Sequence, residues 1–161
     1  MAALDLHGLI FVSSATGPMF EPDIECLVAD ISTYKAAMGI TGVLLHHDGT
    51  FFHYIEGGSG VLSLAYERIQ QSPLHTGVIE LFNEPISQRL FETWHIGMTG
   101  RVSSASLKTR NERWKQEWER LRTVRLTPSR TKLEIRPKTE SDGPPLSLIL
   151  GFWSQNTRTP A

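Results

Sequence analysis

Residues 39–57, GITGVLLHHDGTFFHYIEG, carry the topology of the chain. Two β-prone runs, Gly42–His47 and Thr50–Glu56, flank Asp48-Gly49, a pair that supplies the positive φ angles of a two-residue hairpin turn. In the register such a turn imposes, His46 faces Phe51 and Leu44 faces His53, while Val43, Leu45, Phe52 and Tyr54 occupy the opposite side. Both sides are apolar. The hairpin is therefore expected inside a sheet covered on both faces.

On the N-terminal side, Leu6–Ala15 reads as a buried strand ended by Thr16-Gly17-Pro18. Pro22 suits the first turn of a helix. Ile24, Leu27, Val28, Ile31, Tyr34 and Met38 then recur at helical spacing until Gly39, which predicts a helix over Pro22–Met38 with Cys26 buried and inert within it.

On the C-terminal side, Gly57-Gly58-Ser59-Gly60 breaks the strand, and Val61, Leu62, Leu64, Ala65 and Ile69 predict a second helix ending near Ser72-Pro73. A strand at Gly77–Phe82, a short helical turn at Gln88–Phe91 and a last strand at Thr93–Met98 complete the body. The order β-α-β-β-α-β-β is an α+β, ferredoxin-like split pattern with an extra strand. Leu107–Arg122 is a third helix with Trp114, Trp118 and Leu121 on one stripe, expected to pack on the sheet face bearing Leu45, Phe52 and Tyr54. Domain organisation follows: a body over 1–100, an amphipathic helix over 101–123, and a polar, proline-bearing tail over 124–161 that is expected to be extended or mobile. Within that tail Leu146–Trp153, LSLILGFW, is too short to span a membrane and suits docking on the body or on a partner.

Charge separates the same zones. In residues 1–104 four Lys/Arg stand against eleven acids, a balance of −7; in 105–161 twelve stand against six, a balance of +6. The basic zone invites nucleic acid, but Glu112, Glu117 and Glu119 interrupt it, so a solvated helix face is the weightier reading and a nucleic-acid role is not expected. A single cysteine in 161 residues excludes an internal disulfide framework. No apolar run reaches membrane length and the N-terminus lacks a basic leader pattern, so a cytoplasmic protein without membrane association is expected.

Local chemistry signals are sparse. His46 and His53 lie diagonally on one hairpin face, and two ligands do not make a zinc site. Ser13-Ser14 lacks the nucleophile-elbow glycines, and no phosphate-binding Gly-Lys-Ser/Thr loop exists. Gly57–Gly60 could cradle an anion at a helix N-terminus, though a plain connecting loop accounts for it.

A family resemblance reaches further. LIFVSSA at 9–15, GITGVL at 39–44, GTFFHYIEG at 49–57, YERI at 66–69 and RLFETW at 89–94 resemble the BLUF family of blue-light sensors, in unbroken order over about residues 6–98. The resemblance implies a five-stranded sheet with two helices on one face, FAD or FMN between those helices, and a photocycle that moves an electron and a proton from a tyrosine through a rearranging glutamine. It also locates the flavin pocket at Phe11, Ser13, Tyr34, Lys35, His53, Leu74, Trp94 and Ile96. At several of these the chain departs from the family pattern. Phe11 stands for the tyrosine and His53 for the glutamine; Tyr34 and Lys35 stand for a pair of asparagines; Leu74 stands for an arginine; and Trp94-His95-Ile96 stands for Trp-Ser-Met. Phenylalanine has no O–H to give, histidine has no amide to rearrange, and lysine only donates.

Scaffold positions are kept while ligand positions change. The expected function is therefore a BLUF-like regulatory protein, self-associating and acting on a separate protein partner, without the normal photocycle and with flavin binding weakened or lost. The alternative is an atypical flavin photoreceptor using Trp94 or Tyr54 as electron donor. A third reading, a small acylphosphatase-like enzyme, lacks the arginine and asparagine it would need in Thr16–Pro22, and no enzymatic activity is expected.

Overall fold

The computed structural model describes residues 5–17, 20–71, 75–99, 102–126 and 143–156. Strand β1 (Leu6–Ala15) leads to helix α1 (Glu21–Met38), the hairpin β2 (Thr41–His47) and β3 (Thr50–Gly58), helix α2 (Ser59–Gln71), and strands β4 (His75–Pro85) and β5 (Trp94–Met98). Helices α3 (Ala105–Leu126) and α4 (Gly143–Asn156) follow. The strands form one sheet in the order β4-β1-β3-β2-β5. Every pairing is antiparallel except that of β2 with β5.

The hairpin forms as its sequence requires. Asp48 (φ 46°) and Gly49 (φ 81°) make the turn, and the ladder pairs Leu44 with His53 and His46 with Phe51. Gly42 has φ 145°, and a Cβ there would lie 2.0 Å from the carbonyl oxygen of Tyr54, so the second glycine of GITG is required by a close backbone approach.

The two faces of the sheet are buried by different partners. On one, α1 places Ile24, Leu27 and Val28 against Leu44, Phe51, Ile96 and Met98. On the same face α2 places Leu62, Ala65 and Ile69 against Leu9, Phe11 and Ile55. On the other face, Ile10, Val43, Leu45, Phe52 and Tyr54 meet Trp114 and Leu121 of α3. Trp114 is fully buried and lies so close to β5 that a Cβ on Gly97 would sit 2.3 Å from its ring. Asn111 of α3 clamps the edge strand, accepting from Met98 N–H at 2.8 Å and donating to Met98 C=O at 3.1 Å.

Four expectations need correction. Residues 143–156 of the tail expected to be extended form α4 instead, with Ile149 and Trp153 buried in the α3-side core. Phe152 stacks on Phe52 at 4.9 Å, and Trp153 meets Trp114 edge-on at 5.6 Å. The LSLILGFW run thus docks on the body, while 127–142 and 157–161 lie outside the described residues. Cys26 is exposed, because the buried stripe of α1 runs through Ile24, Leu27, Val28 and Lys35 on another side of the helix. Residues 88–91 are irregular rather than helical, since Glu56 takes up the backbone N–H groups of Leu90 and Phe91 that a helical turn would use. Finally, β3 runs through Gly57 to Gly58, so the first two glycines of the expected break are strand.

Candidate functional site

The sheet alternation sends Phe11 and Ser13 of β1, His53 of β3 and Ile96 of β5 to the face that α1 and α2 cover. All four are buried. Phe11 and His53 are direct cross-strand partners, and their rings stack at 4.3 Å with an interplanar angle of 15°. Tyr66 of α2 closes on Phe11 at 5.0 Å, and its hydroxyl titrates above the usual range because burial, and then the charge of Glu80, disfavour the phenolate.

Helix α1 supplies the next two residues. The Tyr34 ring lies under the guanidinium of Arg68 at 4.5 Å, a cation–π contact that joins α1 to α2 across the space between them. Lys35 is 2 % exposed, and its Nζ sits 4.8 Å from the centroid of Trp94. Burial first, and then the positive charge of Arg68, lower its pKa to about 7. Among the described residues no carboxylate pairs with it. Trp94 is half-buried and its Nε1–H is shielded without an acceptor. The structure therefore brings together Phe11, Tyr34, Lys35, His53 and Trp94 on one side of the sheet, while Leu74 lies outside the described residues. Tyr66 and Arg68 belong with this group; the YERI motif contained them, but nothing in their spacing distinguished a site residue from a helix surface.

Glu56, also in the stretch that carries the topology, faces the other way. Its carboxylate is fully buried and accepts from Thr41 Oγ1 at 2.8 Å, Tyr54 Oη at 2.7 Å, Leu90 N–H at 2.9 Å and Phe91 N–H at 2.9 Å. It ties the central strand to the loop that precedes β5, and so to Trp94.

A family model described as sensors of blue-light using FAD matches residues 6–97. The chain belongs to the BLUF family. Among curated proteins, the photoactivated adenylate cyclase subunit beta of Euglena gracilis is 34% identical over 86 residues, which are 53% of this chain and 10% of the relative. The chain thus spans about a tenth of the length of that cyclase subunit. Among solved structures, Klebsiella pneumoniae BlrP1 with FMN and cyclic diGMP is 31% identical, with a TM-score of 0.52 over 56% of this chain and 25% of that one. A bacterial light-regulated adenylyl cyclase shares the fold at 21% identity, with a TM-score of 0.58 over 74% of this chain and 36% of that one.

The BLUF sheet and its helices are therefore those expected, and the matched region is a sensor domain. Within it, the site positions Phe11, Tyr34, Lys35, His53 and Trp94 present a benzyl ring, a phenol, an ammonium, an imidazole and an indole, and no side-chain amide.

Proposed function

We propose that this BLUF domain is a regulatory module that acts through protein–protein contacts and does not run the tyrosine–glutamine flavin photocycle. The observation that carries this reading is the Phe11–His53 stack: two buried, directly paired residues occupy the electron-donor and switching positions with groups that can do neither task. Flavin itself fits poorly. The ring edge needs partners that both donate and accept, whereas Lys35 only donates, and the Tyr34 ring is engaged beneath Arg68. Self-association and a separate protein effector remain part of the proposal. No described helix is long and apolar enough to cross a membrane, which is compatible with work in the cytoplasm.

The test is spectroscopic. Protein supplied with FAD or FMN should show weak or no quenching of flavin fluorescence, and blue light should produce no reversible red shift of the flavin band. Tyr34→Asn together with Lys35→Asn should raise flavin affinity measurably; Phe11→Tyr or His53→Gln alone should not. Submicromolar binding to the unaltered chain overturns the reading of the cleft, and a red shift that recovers in the dark overturns the reading of the photocycle.

One observation favours the alternative of an atypical flavin photoreceptor. The buried Lys35 ammonium and the unpartnered Trp94 Nε1–H could both donate to a flavin carbonyl. Tight binding that is lost in Lys35→Met would select it.

A further inference from the structure

A cleft of about 480 Å³ lies where α1, the loop 86–93 and the first turns of α3 meet around the edge strand β5. No residue of α2 lines it, and Trp94 is the one flavin-pocket position named above that it shares. Its lining is rich in hydrogen-bond donors. Arg89, Arg110 and Arg113 contribute guanidinium groups; Ser32 and Trp94 also line it, but their Oγ and Nε1 are closed off from solvent and so are not open to a ligand.

None of the three arginines has a carboxylate within ion-pair distance among the described residues. Arg89 is already held in place by neutral oxygens, its Nη1 donating to Thr41 Oγ1 at 2.8 Å and to the Glu56 carbonyl at 3.3 Å. The charged form of Arg110 is disfavoured by burial and by the charge of Arg113 beside it. Glu92 also lines the cleft and offsets part of the arginines' positive charge. The last carbonyls of α1 at Lys35 and Ala36 are spent on Ile40 N–H and Gly39 N–H.

Three guanidinium groups against one carboxylate leave the cleft positive, and guanidinium forks match the oxygens of a phosphate, which accepts several charge-assisted bonds at once. The volume falls within the range of about 300–1,000 Å³ usual for small-molecule sites. We propose that this cleft binds a small phosphate-bearing ligand, carrying at least two negative charges, between Arg89, Arg110 and Arg113. None of the three arginines is a flavin-pocket position, and the ligand would report to the loop that Glu56 anchors.

The experiment is isothermal titration of the full chain with inorganic pyrophosphate and, separately, with adenosine monophosphate. One-site saturable binding is expected, weakened by about tenfold or more in Arg110→Ala and Arg113→Ala, with Arg113→Lys intermediate because it keeps the charge and loses the fork. Lys108→Ala, an exposed change on α3 outside the cleft, should leave binding unchanged, and unaltered melting temperatures will show that the variants fold. Binding of adenosine monophosphate in preference to pyrophosphate would identify an organic phosphate as the ligand, and the reverse an inorganic one. Absence of saturable heat with both overturns the proposal. So does equal weakening by Lys108→Ala and Arg113→Ala, or binding only to an oligonucleotide duplex, since either would mean diffuse charge rather than a site.

Discussion

Lys35 enters the fold as a group whose proton is held less tightly than in the unfolded chain. Its folded pKa is about 7, below the ordinary lysine value of 10.5. Between these two values the unfolded state binds more protons than the native state, so Lys35 makes stability rise with pH across that window and costs most below about pH 7. Lys35→Met should therefore raise stability at neutral pH and flatten the rise between pH 7 and 10, as read from denaturant midpoints of both proteins. Glu56 is a buried carboxylate with four hydrogen-bond donors directed at it. Glu56→Ala should cost about 3 kcal/mol or more by leaving those donors unsatisfied, and Glu56→Gln less. Urea titration of the three proteins checks the ranking. His53 could be put on a sheet face from the hairpin register, but its pairing with Phe11 as a site was legible only through the family resemblance, since nothing in the spacing of β1 and the hairpin joins them. The arginine cleft was not legible, since Ser32, Arg89 and Arg110 come from distant parts of the chain and share no spacing.

Elements with a clear period or a decisive turn emerged from the sequence, and those without one did not. The β2–β3 hairpin rests on Asp48-Gly49, and α3 on its Trp114–Trp118–Leu121 stripe. Helix α4 escaped because its apolar run, LSLILGFW, is only eight residues long and follows a polar stretch with Pro144-Pro145, although Ser147, Gly151 and Ser154 do recur at helical spacing on its exposed side. Yet α4 is helical for a tertiary reason: Ile149 and Trp153 complete the same core as Phe52 and Trp114. The short turn expected at 88–91 fails for a tertiary reason too, the pull of Glu56 on Leu90 and Phe91. Shortening the chain tests the packing. A chain ending at residue 142 should lose several kcal/mol with α4. One ending at Gly100, deprived of Trp114 as well, should expose the second sheet face and aggregate. Light scattering and thermal melts read both outcomes, and a stable, monodisperse chain ending at Gly100 would contradict the packing.

For the whole molecule, the sheet order β4-β1-β3-β2-β5 joins strands far apart in sequence. Leu6 pairs with Gly58, and His7 with both Gly57 and Pro85. Such long loops must close before their contacts stabilise anything, so refolding should take about milliseconds to seconds rather than microseconds. Stopped-flow tryptophan fluorescence, using Trp114 and Trp153 as reporters, measures it. The place of β1 between β3 and β4 has a consequence during synthesis. Strand β1 is an apolar, β-prone segment made before both of its neighbours: one edge waits for β3, complete at Gly58, and the other for β4, complete at Pro85. Until then LHGLIFVSSA is an unpaired template open to other nascent chains. Slow translation between residues 15 and 85 should therefore lower the yield of native protein more than an equal delay beyond Met98.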